Sequence, residues 1–141
     1  MVSIEKIIYK IGQLDDFISL LEKIKNTTLE SFVKDKILSG AAKYYLQISI
    51  ECCMDIANHI IASESYRAPK DYADSFKVLE ENDIIPPEFS SRLMRMAKFR
   101  NRIVHLYGEI DDTYVYEFIT NDIDDLKEFK AAIVTEYLKE G

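Results

Sequence analysis

Tryptophan is absent from the chain, and its 141 residues hold only four glycines, three prolines, two cysteines and two histidines. So few backbone breakers exclude a collagen-like or low-complexity chain and leave room for long helices. Cys52 and Cys53 are adjacent, which rules out an ordinary structural bridge between them and gives no metal-ligand spacing. That usage points to a reducing compartment, the cytoplasm. Two histidines among scattered carboxylates show no ligand pattern, so neither a metal nor another cofactor is expected. No run of about 18 apolar residues occurs, so no membrane span is expected. The opening MVSIEKIIYK carries Glu5 and Lys6 where a secretory leader would have its apolar core. Positive charge is the scarcer sign, 18 basic against 25 acidic residues for a formal −7, which argues against broad coating of nucleic acid but not against one focused site.

What the chain does hold is apolar side chains at helical spacing, 48% of its residues being hydrophobic. The length predicts one domain over residues 1–141, with its own core or with one face buried in a dimer. Ser3 caps a first helix on which Ile4, Ile7, Ile8, Ile11, Leu14, Ile18, Leu21 and Ile24 recur at three and four. After Asn26-Thr27-Thr28, residues 29–36 read as a short helix, with a break near Asp35 or near Ser39-Gly40. A long helix then runs to about Ser63, apolar round most of its circumference, which suits a central helix or one in a dimer interface. Glu51, Asp55 and His59 form a polar row along it, and His59 reads as a structural histidine held by a neighbour such as Asp55. Asp71, with Asp74 at the capping-box position, starts a helix through Glu81 whose apolar side is Tyr72, Phe76 and Leu79. Pro86-Pro87 precede a helix from about Glu88, expected to bend or fray near Tyr107-Gly108. A last helix is expected from Asp111-Asp112 to about Lys139. The fold class is therefore all-α, an up-and-down bundle of four main helices with one or two short ones.

Within that acidic chain the stretch from Arg92 to Tyr107 is exceptional. Arg92, Arg95, Lys98, Arg100 and Arg102 fall within a segment that holds no acid. Such a cluster is either a solvated helix face or, beside a histidine, a seat for a phosphate-bearing ligand. At about 100° per residue, Leu93, Met96, Ala97, Ile103 and Val104 form one apolar arc, while Arg95, Lys98, Asn101, Arg102 and His105 lie opposite. Arg100 falls inside the apolar arc with Tyr107 beside it. A guanidinium there needs a carboxylate or an interface, and Asp55 is the natural partner. Tyr107 by itself reads as a core or interface tyrosine.

The string Arg100-Asn101-Arg102-Ile103-Val104-His105-Leu106-Tyr107 resembles the signature of the HEPN superfamily, an Arg followed after four to six residues by His. More narrowly it is similar to the HepT-like toxins, which carry a further Tyr two residues past the His. Asp55-Ile56-Ala57-Asn58-His59-Ile60 and the Phe76, Leu79, Ile84, Ile85, Pro86 run support the resemblance, which covers nearly the whole chain. Lys98 stands where many members carry glycine, a departure that adds charge and removes none of the signature groups.

The resemblance implies a HEPN-like bundle and the toxin of a type VII HEPN/nucleotidyltransferase toxin–antitoxin module, a metal-independent endoribonuclease that cuts RNA by 2′-OH transesterification. It implies a homodimer whose two motifs make one composite cleft. It also implies a partner, a minimal nucleotidyltransferase antitoxin that transfers AMP to the motif tyrosine, here Tyr107. The residue types fit that chemistry. An imidazole such as His105 moves protons near neutral pH, and Arg100 can hold phosphoryl oxygens bidentately. Asn101 would orient the imidazole or the phosphate, with Asp55 supporting, and Arg95, Lys98 and Arg102 would meet the RNA backbone. An anionic adduct on Tyr107 would repel an RNA phosphate. Two alternatives remain at this level: a non-catalytic helical module that binds a nucleotidyltransferase, and a plain structural dimer.

Overall fold

The computed structural model describes residues 1–106 and 109–138, and among these there is no strand. The order is α1 (Ile4–Lys25), α2 (Leu29–Lys34), α3 (Lys36–Ser63), α4 (Tyr72–Glu81), α5 (Pro87–His105), α6 (Asp112–Asn121), α7 (Ile123–Ile133) and a π-helical turn, Val134–Leu138. The result is an all-α bundle, as the periodicity predicts.

Local chemistry sets most of the boundaries. The Ser3 hydroxyl accepts the Lys6 N–H at the start of α1, and Lys23 and Lys25 sit in its last turn, where the helix dipole favours cations. Thr28 caps α2. Asp35 both ends α2 and caps α3, its carboxylate accepting the N–H groups of Ile37 and Leu38, so the break falls at Asp35 and Gly40 lies inside the helix. Asp71 caps α4 through the Asp74 N–H. The Asp74 carboxylate does not close a capping box on Asp71; it accepts the Lys70 N–H and a bidentate pair from Arg67. Asp83 takes a left-handed φ of 61°, which turns the chain from α4 toward Pro86-Pro87.

The long α3 is central: it packs against α1, α4 and α5, and also meets α2, α6 and α7. Its buried Leu46, Ile50, Met54, Ile56 and Ile60 join the α1 stripe Ile7, Leu14 and Leu21 and the rings of Phe32, Phe76, Phe89 and Phe129 in one continuous core. Each such side chain contributes about 1.5–3 kcal/mol on burial. An ion triad ties α3 to α6: the buried Asp112 carboxylate accepts Lys43 Nζ at 2.8 Å and Lys36 Nζ at 3.1 Å.

The expected last helix is two helices. The chain leaves helical geometry at Asp122 (φ −115°, ψ −1°), after Asn121. Short polar side chains compete for backbone hydrogen bonds and favour such breaks. The break lets α6 pack on α2, α3 and α1, while α7 returns to α1 and α3. Among the described residues, three long helices, four short ones and the π-helical turn therefore stand where four main helices and one or two short ones were expected.

Candidate active site

Helix α5 starts with Pro86 at its cap and Pro87 in its first turn, and it runs unbroken to His105. Phe89, Leu93, Met96, Ala97 and Ile103 bury its apolar arc. Val104, expected in that arc, is 37% exposed, because it lies in the last turn of the helix, one residue before its end. His105 and Leu106 are exposed too, and Tyr107 lies outside the described residues.

The five cations of α5 divide into three environments. Arg92 is consumed structurally: its guanidinium pairs with Glu88, Asp125 and Glu128, joining α5 to α7. Arg95, Lys98 and Arg102 are exposed and form no ion pair among the described residues. Arg102 lies over the Tyr114 ring, 5.9 Å from its centroid.

Arg100 is sheltered, its side chain 16% exposed. Its Nε and Nη2 donate to Glu51 Oε2 at 3.0 and 2.7 Å, and Nη1 donates to Asn101 Oδ1 at 3.1 Å. Gln47 Nε2 donates to the same Glu51 oxygen at 3.0 Å. The guanidinium stands 5.3 Å over the Tyr72 ring. The expected partner was Asp55, and that pairing is corrected: Asp55 Oδ2 accepts Lys10 Nζ at 2.9 Å. One turn along α3 separates the two acids, so Glu51 faces α5 and Asp55 faces α1. The hydrogen bond to Asp55 raises the Lys10 ammonium above its ordinary value.

His59 is a structural histidine, but Asp55 does not hold it. Its Nε2 accepts the Ser3 N–H at 3.0 Å, which ties the start of α1 to α3. Burial lowers its pKa, and the charges of Lys6 and the N-terminus add to that. Among the described residues no group of three or more His, Cys, Asp or Glu is placed to hold a metal ion. No described helix is long and apolar enough to cross a membrane.

Glu51, Gln47, Tyr72 and Tyr114 are the residues that sequence reasoning missed at this site. Glu51 was visible in the polar row of α3, but choosing it over Asp55 requires knowing where α1 lies. Tyr72, expected on the apolar side of α4, is half exposed at its N-terminus beneath Arg100. Asn101 contacts Arg100 and not an imidazole.

Arg100 and His105 are brought onto one helix but not onto one face: at about 100° per residue they point roughly 140° apart. A sheltered guanidinium with a fixed carboxylate partner and an exposed imidazole at the helix end can serve acid–base and phosphoryl chemistry together only where a second surface joins them.

Two similar proteins are described as nucleases. A protein described as mRNA nuclease HepT from Shewanella oneidensis is 30% identical over 130 residues, covering 92% of this chain and 97% of its own. Another, described as tRNA nuclease HepT from Aphanizomenon flos-aquae, is 25% identical over 124 residues, covering 85% of this chain and 83% of its own. A chain in the solved structure of a tri-AMPylated Shewanella oneidensis HEPN toxin in complex with MNT antitoxin superimposes with a TM-score of 0.87 at 29% identity, covering 95% of this chain and 100% of that one. The family described as ribonuclease HepT-like matches residues 14–133, a span that takes in α1 from Leu14 on, the Glu51 turn of α3 and all of α5. With that span, and with the Arg100–His105 helix packed on α3 as described, the chain belongs to the ribonuclease HepT-like family.

Proposed function

We propose that this chain is the toxin of a HEPN/nucleotidyltransferase toxin–antitoxin module and a metal-independent endoribonuclease. The observation that carries the reading is Arg100, a cation held half-buried by Glu51 and Asn101 over Tyr72, on the same helix as His105. Family membership and relatives described as mRNA and tRNA nucleases support it.

In the proposed reaction His105 removes the proton of a ribose 2′-OH. The 2′-oxygen attacks the adjacent phosphorus, the P–O5′ bond breaks, and the leaving 5′-oxygen takes a proton. The products are a 2′,3′-cyclic phosphate and a 5′-hydroxyl. Arg100 donates to the non-bridging oxygens as charge develops on them. Glu51 fixes the guanidinium from one side, leaving Nη1 and Nη2 protons for the phosphate. Asn101 helps to orient Arg100. Asp55, paired with Lys10, takes no part. The divergence of Arg100 and His105 on a continuous helix favours a homodimer in which the arginine of one subunit works with the histidine of the other.

Arg95, Lys98 and Arg102 would hold the RNA backbone. A minimal nucleotidyltransferase antitoxin would transfer AMP to Tyr107. The solved complex of an AMPylated HEPN toxin with MNT antitoxin supports that partner. The chain would work in the cytoplasm as one HEPN-like unit.

The test is cleavage of total RNA and of tRNA in EDTA by protein made without any nucleotidyltransferase, beside His105→Ala. Wild-type cleavage with 2′,3′-cyclic phosphate ends, lost in the variant, is the expected result. Absence of cleavage from folded protein of unmodified mass would transfer the reading to a non-catalytic module that binds a nucleotidyltransferase.

A further inference from the structure

Helices α5 and α6 run side by side in opposite directions and meet through long side chains. Tyr114 lies at Arg102, Phe118 stacks on Phe99 with centroids 4.7 Å apart and planes 7° from parallel, and Asp122 lines a cavity with Arg95 and Met96. Tyr114, Phe118 and the α6 C-cap Asp122 are four apart and the α5 residues three or four apart, so one seam carries all of them. That cavity, of about 240 Å³, opens between the two helices at the Arg92 end. His105 stands at the other end. Arg95 to His105 spans roughly 15 Å at 1.5 Å per residue, room for a few nucleotides.

We propose that the α5–α6 seam is a single-stranded RNA track on which the Tyr114 ring stacks a nucleobase while Arg95, Lys98 and Arg102 hold the backbone. This rests on the endoribonuclease reading and deepens it.

Three features carry it. Tyr114 is 54% exposed although its ring is already engaged by Arg102, so a flat aromatic surface is presented to solvent beside a guanidinium. Exposed cations alternating with aromatic rings are the composition of single-strand binding grooves, where phosphates meet the charges and bases meet the rings. The seam also has a direction. At its far end the carboxylates of Asp122 and Asp125 line the cavity, and Arg92 is saturated by Asp125, Glu128 and Glu88. Those carboxylates offset the cations there, so the strand lies between Arg95 and His105 and does not pass Arg92. Tyr114, beside Arg102 one turn before His105, becomes the platform for a base next to the scissile linkage.

The experiment is fluorescence anisotropy of a short labelled oligouridine with full-length His105→Ala protein, which holds substrate without cutting it. Tyr114→Ala and Tyr114→Leu are then added separately, each checked by thermal melting. Both should weaken binding about 5- to 100-fold, and Tyr114→Phe should bind as the parent does. Equal binding by the parent and by either folded ring-less variant overturns the track and leaves the endoribonuclease reading intact. No binding by the parent overturns both. Weaker capture of the nucleotidyltransferase by Tyr114→Ala, with RNA binding unchanged, also overturns it and makes the seam a protein-docking face.

Discussion

Replacing Glu51 by Gln keeps the shape of the side chain and removes the charge that holds Arg100. Two nitrogens of one guanidinium and the Gln47 amide converge on the same oxygen, and the paired side chains are 16% and 26% exposed. Breaking a fully buried pair costs about 3–5 kcal/mol and breaking an exposed one about 0–1, so this intermediate pair is worth about 2 kcal/mol. For a chain of this size that is a fall in Tm of roughly 6–8 °C. Asp55→Asn is the matched control. Its pair with Lys10 is 52% and 34% exposed, so the loss should stay under about 1 kcal/mol. Differential scanning calorimetry on both variants measures this. RNA cleavage measures the second consequence: with Arg100 free to swing, kcat should fall about 10- to 100-fold in Glu51→Gln while KM changes less. Asp55→Asn should cleave as wild type does. A larger effect of Asp55→Asn on either readout, or a Glu51→Gln protein as stable and as active as the parent, would refute the assignment of Glu51 as the anchor of Arg100.

Three further outcomes are expected. Mixing inactive Arg100→Ala with inactive His105→Ala and re-equilibrating the subunits should restore cleavage, since a mixed dimer joins one intact Arg100 to one intact His105; a site contained within one chain would stay dead. Burial pushes the Asp112 carboxyl up, but hydrogen bonds from Lys43 and Lys36 outweigh this and hold it below the usual range, and the Arg67 hydrogen bonds hold Asp74 at about 2. Both folded values lie below the unfolded one, so the stability they contribute is complete above about pH 4 and lost as pH falls through the folded values. Urea midpoints should therefore drop on acidification toward pH 2. Asp112→Asn should cost about 3 kcal/mol at pH 7 and flatten that drop, and an unchanged acid limb would contradict the triad.

The sequence was most legible where one helix face meets one core. The α1 stripe, the Asp71 cap and the end of α3 at Ser63 follow from spacing and cap chemistry alone. Where the outcome depended on a neighbour, reading failed. Asp55 and Glu51 share a face of α3 and differ only in which helix stands opposite. The break at Asp122 is invisible in the apolar period because Val115, Ile119, Ile123, Leu126 and Phe129 keep the spacing across it. His59 found its partner in a backbone N–H, which side-chain pairing cannot suggest. Arg92 counts among the five clustered cations in the sequence, and only the position of the α7 acids shows that its charge is spent on holding α5 to α7.

Helix α5 is, in mechanical terms, a beam held along nearly its whole length, with only its tip overhanging. It is clamped near its root, where Arg92 bolts it to α7 through Asp125 and Glu128 and Phe89 and Leu93 are sunk in the core. Roughly 20 Å further on, at 1.5 Å per residue, its tip carries His105 in solvent, with Ile103 the last residue inserted into the core. A load applied at the tip, whether a substrate, a second subunit or a bulky group on the segment just beyond, acts on the short overhang past Ile103, while the buried Met96 and Ala97 and the Arg100–Glu51 pair hold the rest. The root stays put. Stability and responsiveness are thus separated along a single helix, and changes near the tip can retune the chemistry without disturbing what holds the bundle together.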